Sequence, residues 1–453
     1  MPSALPVLTH TSVVVIGAGP AGLVVANRLH DSGVDCVLLE AESREFIERR
    51  PRAGFMEEWA VRALAGHGLA GHVLVQAETQ GEFEFRFEGE RHTVPTAELS
   101  GRSHFVYPQP RLVTDLLAAY VDKGAGDARF GVRDVQLDGI GGTGGRGGVE
   151  GTGGTHGTGD TAATDGTGGD RPVVSYTDPL TGARHRVVCD YVAGCDGARG
   201  VTRQAIPDGQ VTVSRRDDGV AWLALLAQAP PSADGVVFGI HERGFGAHMA
   251  RSPEVTRYYL QVPPGDTPEN WPHERVWHEL RTRLAADGAR PLTEGPLAEK
   301  VVLDMHNYVV EPMSYGRLHL AGDSAHLIAP IAAKGMNLAI HDALLLADAL
   351  IGAAPRRNGA DGADGADGAD GTDGTGRDGG DGGTGLAGYS EAALERVWQY
   401  QEFSQWLSDV LHGASSGDRF RAATARARLR RILASGTPAR AFAGLYMGEE
   451  SGR

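Results

Sequence analysis

Residues 13–23, VVVIGAGPAGL, constrain this chain more than any other stretch. Four apolar, mostly β-branched residues read as a buried strand that runs into Gly17, Gly19 and Gly22. In a strand–turn–helix unit the first glycine permits the tight turn. The second lets a pyrophosphate approach the backbone, and the third lets the helix pack close to the strand. The helix PAGLVVANRLHDSG carries a proline in its first turn and stops at Gly33. Its N-terminal amides and dipole then face the phosphates. A second strand, CVLLE, ends at Glu40, about 20 residues on, where a carboxylate accepts hydrogen bonds from a ribose. A GxGxxG alone is a weak signal, because glycine turns are common. Strand, turn, helix, strand and terminal acid together predict a dinucleotide-binding unit, without distinguishing FAD from NAD.

A chain of 453 residues has room for two or three domains with real cores. Its net charge of −15 is unevenly spread. The tract 141–170 carries Glu150 and three Asp against Arg146, and the tract 358–386 carries seven Asp against Arg377. Nine of the fifteen net negative charges therefore lie in these two tracts, and the remainder is mildly acidic. No basic patch points to nucleic acid or an anionic membrane. No apolar run reaches membrane-spanning length, and the N-terminus lacks the charged and apolar regions of a secretory signal. Cys36, Cys189 and Cys195 are odd in number and lack metal spacing, so reduced thiols in a cytoplasmic protein are expected.

Both tracts are glycine-rich and nearly free of apolar residues, so they read as loops that a domain tolerates at small entropic cost. The Ala-Asp-Gly repeats lack the apolar anchors of calcium-binding repeats, and no metal is expected. The rest divides into nucleotide-binding segments 1–80, 106–140 with 171–203, and 301–357. Residues 81–105 and 204–300 alternate as an antiparallel sheet does, in EFEFRFEGERHTV, VAWLALLAQ, GVVFGI, FGAHMAR and TRYYLQV. Residues 387–453 form a C-terminal helical region, in which EAALERVWQYQEFSQWLSDVLHG is expected to be the closing helix.

Three separated motifs carry a resemblance: GAGPAGL, AGCDGARGVTR (193–203) and GDSAHLIAPIAAKGMNLAIHDA (322–343), joined by RAGFMEE and VYPQP. Together they resemble the flavoprotein aromatic hydroxylases of the 4-hydroxybenzoate 3-monooxygenase type, from residue 13 to 448 apart from the two tracts. The resemblance implies an α/β fold: a Rossmann-like FAD-binding domain of the GR2 type, an antiparallel-sheet substrate domain and C-terminal helices. It implies FAD, with Gly17, Gly19, Ala21 and Gly22 at the pyrophosphate and Glu40 at the ribose. Asp323 would meet the ribityl chain, although alone it also reads as an N-cap. The helix opening at Gly335, Met336 and Asn337 would aim its amides at the flavin ring, where a helix N-terminus favours negative charge. Arg52 would sit beside the flavin and Gln109 contact it, with Arg50, Ala53, Gly54 and Phe55 in the same loop. Asp196 would serve both FAD and the pyridine nucleotide. No second GxGxxG unit is present, so NADH or NADPH would bind transiently, near Arg199, Arg203 and His306. Ala41 and Glu42 offer no cation to a 2′-phosphate, which favours NADH. The implied chemistry is reduction by NAD(P)H, uptake of O2 as a flavin C4a-hydroperoxide, and attack on an electron-rich ring.

The implied pocket departs from the family. Arg251 and Tyr259 fall where a carboxylate is gripped, and a bidentate arginine suits a small aromatic carboxylate. Arg257 and Tyr259, two apart on a strand, share a face. The family's serine is Met249. Of two tyrosines at the para-hydroxyl, Tyr446 remains and the other is Phe238. The histidine ending that proton relay aligns with Gln80. Pro330, whose carbonyl faces the ring in relatives, remains, beside Ile331. Tyr446, Arg52 and Pro330 are thus the expected catalytic residues, and Phe238, Met249, Arg251 and Tyr259 the rest of the substrate site. Phenylalanine takes no proton from a phenol. A ring already activated by an amino group, such as 3-amino-4-hydroxybenzoate, is therefore expected, with plain 4-hydroxybenzoate as the alternative. Family halogenases carry a WxWxIP-type motif, whereas Trp222 and Trp271 stand alone here. A non-catalytic FAD-binding regulator is disfavoured by the intact flavin motifs. The family expectation is a homodimer.

Overall fold

The computed structural model describes residues 7–50, 54–141, 171–355, 385–434 and 436–448. Arg52, Ala53 and nearly all of both glycine-rich tracts lie outside the described residues.

The strand Val7–Ile16 starts earlier than the sequence pattern indicates and pairs in parallel with Cys36–Glu40 on one side and Arg184–Gly194 on the other. Asp127–Phe130 and Leu318–Leu320 extend this parallel sheet at its two sides. Ser314–Tyr315, Val173–Thr177 and Arg133–Asp138 add antiparallel pairs. Val13, Val14, Val15, Leu38, Val192 and Leu320 are buried, because helices cover the sheet. Helix Pro20–Asp31 packs against Gly335–Ala353, which in turn packs against Leu386–Gly413. Gly335–Ala353 corrects one reading: among the described residues it is a helix long and apolar enough to cross a membrane. Its apolar surface is instead spent on neighbouring helices, with Leu338, Ile340, Leu346 and Leu350 fully buried.

A second sheet of eight strands runs in the order His326–Leu327, Leu297–Glu311, Thr212–Ala227, Val255–Val262, Gly244–Ser252, Val236–His241, Phe83–Phe87, Glu90–Val94. Every neighbouring pair is antiparallel except Val236–His241 with Phe83–Phe87. The boundary expected at residue 300 falls inside the strand Leu297–Glu311, which pairs with Thr212–Ala227 along most of its length. One face is covered by helix His273–Arg283 through Trp277 and Leu280. The other face meets Leu386–Gly413 and two helices beyond it, Arg419–Leu433 and Thr437–Met447. The expected closing helix is thus followed by two more. Their apolar positions sit among alanines and arginines, which weakens the periodic signal. A third sheet joins Phe55–Glu57, His104–Val106 and Glu78–Gln80.

Candidate active site

Three strands of the first sheet end in one row, because Ile16 pairs with Gly194 and Gly194 with Leu320. Their loops bring Gly17, Asp196 and Asp323 together from three distant parts of the sequence. Ligands of open parallel sheets bind at such carboxyl ends. Gly17 has φ +104°, and a Cβ there would stand 2.3 Å from the Cys195 carbonyl oxygen. A Cβ at Gly22 would stand 1.9 Å from the Gly17 carbonyl oxygen, while one at Gly19 meets nothing within 4 Å. The turn is closed at two glycines and open at the third. The open position caps helix Pro20–Asp31, whose first turn holds buried Ala21 and Gly22. This geometry fits a pyrophosphate on backbone amides. The Glu40 carboxylate accepts hydrogen bonds from the Ala18 amide at 2.6 Å and the Glu42 amide at 2.8 Å, which holds it beside the turn.

Asp196 orders its own loop: its carboxylate accepts from the Thr202 amide at 2.9 Å and from the Thr202 hydroxyl. Burial raises its pKa above the ordinary value, with the Thr202 bonds opposing. Arg203 donates to the Ala198 and Ser324 carbonyls at 2.7 and 3.3 Å and lies over the Tyr308 ring. It therefore ties the second motif to the third. Arg199 and His306 are exposed.

The Gly322–Ser324 turn is pinned from beneath by residues the sequence reading passed over. Gly322, at φ +65°, donates its amide to Asp342 Oδ2 at 2.9 Å, and His326 Nε2 lies 2.6 Å from the same oxygen. The Ser324 hydroxyl bonds the Gly194 and Ala321 carbonyls, and Tyr308 donates to the Asp323 carbonyl. Burial opposes charge on both Asp342 and His326, yet each outweighs it for the other. Asp342 is held below the usual carboxylate range and His326 is raised above its ordinary value. A buried acid, Asp342, in a mostly apolar helix was the available signal. Asp342→Asn is expected to weaken FAD affinity at least about tenfold, by about 1.4 kcal/mol, in a flavin fluorescence titration of the apoprotein. The sign with pH follows from the two shifts. The His326 contribution is complete at low pH and fades as pH rises through its raised value; the Asp342 contribution fades only in strong acid. The stability advantage of the wild-type apoprotein over the variant, read by urea denaturation, should narrow toward alkaline pH.

The flavin-ring end is assembled around the start of helix Gly335–Ala353. Asn337 accepts from the Glu57 amide at 2.8 Å and donates to the Phe55 carbonyl at 3.2 Å. The Gly54 carbonyl accepts from Tyr107, two residues before Gln109 opens its helix, and a Cβ on Gly54 would stand 2.1 Å from the Tyr107 oxygen. Met336 packs on the core, and Arg50 is exposed with its guanidinium over Phe46. Lys334, fully buried, donates to Glu57 at 2.5 Å and to the Leu445 and Tyr446 carbonyls at 3.0 and 2.8 Å. Tyr400 and Trp59 donate to the other Glu57 oxygen. Burial works against both charges, but the Lys334 ammonium bonded to it holds Glu57 below the usual carboxylate range; Lys334 is itself pulled down.

Most of the residues expected to line the substrate site fall on or against one face of the second sheet. Phe85, Phe238, Ala247, Tyr259 and Ala224 occupy one row across five strands. Met249, Arg257 and Leu226 occupy the next. Phe238 is flanked by Phe83, Phe85 and Phe245 at ring separations of 5.7, 5.5 and 5.9 Å. Tyr259 lies 5.0 Å from the Trp222 ring. Ile331 is buried in the same cluster, while Pro330 is exposed. Tyr446 faces Phe83 at 4.5 Å, and burial raises its phenol so that it stays neutral. Gln80 spends its amide on the Glu82 carbonyl. The histidine beside Tyr446 is instead His104, directly across from Gln80 in the third sheet, with ring centroids 5.6 Å apart. Burial drops the His104 pKa to about 4, so the imidazole is neutral. Arg251 sits at a bulge between Ala250 and Ser252. Burial lowers its pKa, with the neighbouring Tyr259 hydroxyl opposing.

A dinucleotide cradle on a parallel sheet, opening onto an aromatic face of a second sheet, defines a flavin-dependent aromatic monooxygenase. A model of the FAD binding domain matches residues 10–141 and 151–361. The p-hydroxybenzoate hydroxylase of Acinetobacter baylyi is 30% identical over 441 residues, covering 97% of this chain and 95% of that protein. A 3-(3-hydroxy-phenyl)propionate/3-hydroxycinnamic acid hydroxylase of Mycolicibacterium gilvum is 25% identical, over 78% of this chain and 56% of that one. The crystal structure of p-nitrophenol 4-monooxygenase from Pseudomonas putida superposes with a TM-score of 0.70 at 18% identity, over 98% of this chain and all of that one. The chain belongs to the p-hydroxybenzoate hydroxylase-type family of FAD-dependent aromatic hydroxylases.

Proposed function

We propose that this hydroxylase acts on an amino-substituted benzoate such as 3-amino-4-hydroxybenzoate, with NADH or NADPH as reductant and O2 as oxidant. One oxygen atom enters the ring and the other leaves as water, with two electrons from the nicotinamide. Bound FAD supplies hydride acceptance and oxygen activation; the chain binds, orients and dries the ring. Arg251 takes the carboxylate beside Tyr259. The observation that carries the amino substituent is Phe238, boxed in by Phe83, Phe85 and Phe245 where relatives keep a phenol. An arylamine donates electrons to the ring without losing a proton, so such a wall suffices. Plain 4-hydroxybenzoate, giving protocatechuate, is the second reading. Tyr446 with the neutral His104 imidazole beside it favours that one. Exposed Ala41 and Glu42 offer no positive charge to a 2′-phosphate, which favours NADH, and the buried free thiols Cys189 and Cys195 suit a reducing cytoplasm.

Stopped-flow flavin reduction with a benzoate panel and both nucleotides tests this. The aminohydroxybenzoate should accelerate reduction most and give near-stoichiometric product per NADH consumed. Fastest reduction and tightest coupling with 4-hydroxybenzoate would overturn the amino assignment.

A further inference from the structure

Where the proposed function seats the carboxylate, the sheet face holds two guanidinium groups, Arg251 and Arg257, while a benzoate brings one negative charge. Arg257 stands beside Met249 in the sheet and, across Leu226, faces Glu299. Glu299 accepts both Arg257 Nη atoms, at 3.2 and 3.1 Å, in a fork-to-fork pair. The Arg257 side chain is 11% exposed and the Glu299 side chain 33%. Glu299 thus lies at the open edge of the face, beside exposed Val301. Arg251 is faced by the Tyr259 hydroxyl, by Arg257 and by Glu299. With Glu299 ionised, Arg251, Arg257 and Glu299 together sum to a single positive charge.

We propose that Glu299 determines specificity: by neutralising Arg257 it leaves Arg251 as the one uncompensated cation, so the pocket accepts aromatic monocarboxylates and rejects dicarboxylates. The inference rests on Arg251 being the carboxylate anchor. A second ring carboxylate would have to displace Glu299 from Arg257. That would place like charges together against the buried Arg257, the repulsive element that discriminates a wrong ligand. Glu299→Gln keeps the shape and an acceptor for Arg257 but releases one positive charge.

The full-length, FAD-loaded protein is titrated with 4-hydroxybenzoate and 4-hydroxyisophthalate, followed by the flavin absorbance change. Glu299→Gln should improve the diacid relative to the monoacid at least about tenfold. Arg257→Gln, which leaves Glu299 uncompensated, should weaken both acids about tenfold or more. Arg251→Ala should abolish monoacid binding, by about a hundredfold or more. An unchanged diacid-to-monoacid ratio in Glu299→Gln, with the Arg251→Ala loss intact, overturns the role of Glu299 and spares the anchor. Unchanged binding in Arg251→Ala overturns the anchor itself, and the inference with it.

Discussion

Lys334→Met is expected to cost the protein about 3–5 kcal/mol of stability, the range for removing one partner of a buried ion pair. Lys334 and Glu57 are both fully buried, so the carboxylate left behind has no water to turn to. Tyr400 and Trp59 still donate to Glu57, but neither carries a charge. The lysine also donates to the Leu445 and Tyr446 carbonyls, so its loss unties the end of helix Thr437–Met447 from the start of Gly335–Ala353. The effect should therefore reach the pocket, where Tyr446 packs on Phe83. Urea denaturation of the FAD-free protein measures the stability loss. Pairing the change with Glu57→Gln should recover part of it, because the neutral amide tolerates burial better than an orphaned carboxylate. A loss below about 1 kcal/mol would mean that water reaches Glu57 and that the network is not the fastening described.

What was legible in the sequence is what local constraint dictates. A turn that must pass under a phosphate accepts only glycine at set positions, so residues 17–22, taken with the strand before them, the helix after them and the acid ending the next strand, declare the cradle. Arg257 and Tyr259 share a face because strand side chains alternate, and the pairing of Met249 with Arg257 and of Ala247 with Tyr259 bears this out. What escaped depends on pairing between distant segments. His104 reaches Tyr446 only because the strand His104–Val106 lies beside Glu78–Gln80, and nothing in SHFVYPQP announces that neighbour. The Asp342–His326 pair is similar: sixteen residues separate them in sequence, and only the fold lays the long helix beneath the Gly322–Ser324 turn. The bulge at Arg251 breaks strict alternation, so its direction follows from the sheet and not from counting. The strand Leu297–Glu311 crosses the boundary expected at residue 300; its partly exposed first half and mostly buried second half give no single alternation by which its length could be counted.

Two neighbouring glycines should separate folding from cofactor binding. Gly22→Ala places a methyl 1.9 Å from the Gly17 carbonyl oxygen and 3.3 Å from the Cys195 Cβ. Neither neighbour yields easily: the Gly17 amide is bonded to the Leu39 carbonyl at 2.7 Å, and Cys195 donates its amide to Ile16 at 2.8 Å. The helix must move off the sheet, which overpacks a core whose Val13, Val14 and Val15 are fully buried. A loss of about 3 kcal/mol or more is expected, at or beyond the upper end for overpacking. Gly19→Ala differs. Gly19 has φ −75° and ψ 179°, an extended conformation any residue adopts, and its Cβ meets no protein atom. The FAD-free protein should keep its stability within about 0.5 kcal/mol, because the new methyl enters only the space reserved for phosphate. FAD affinity should still fall a hundredfold or more, about 2.7 kcal/mol, measured by fluorescence titration alongside the melting curve of the apoprotein. If Gly19→Ala bound FAD as wild type does, the pyrophosphate would not lie on this turn, and the cradle assigned to residues 17–22 would have to move.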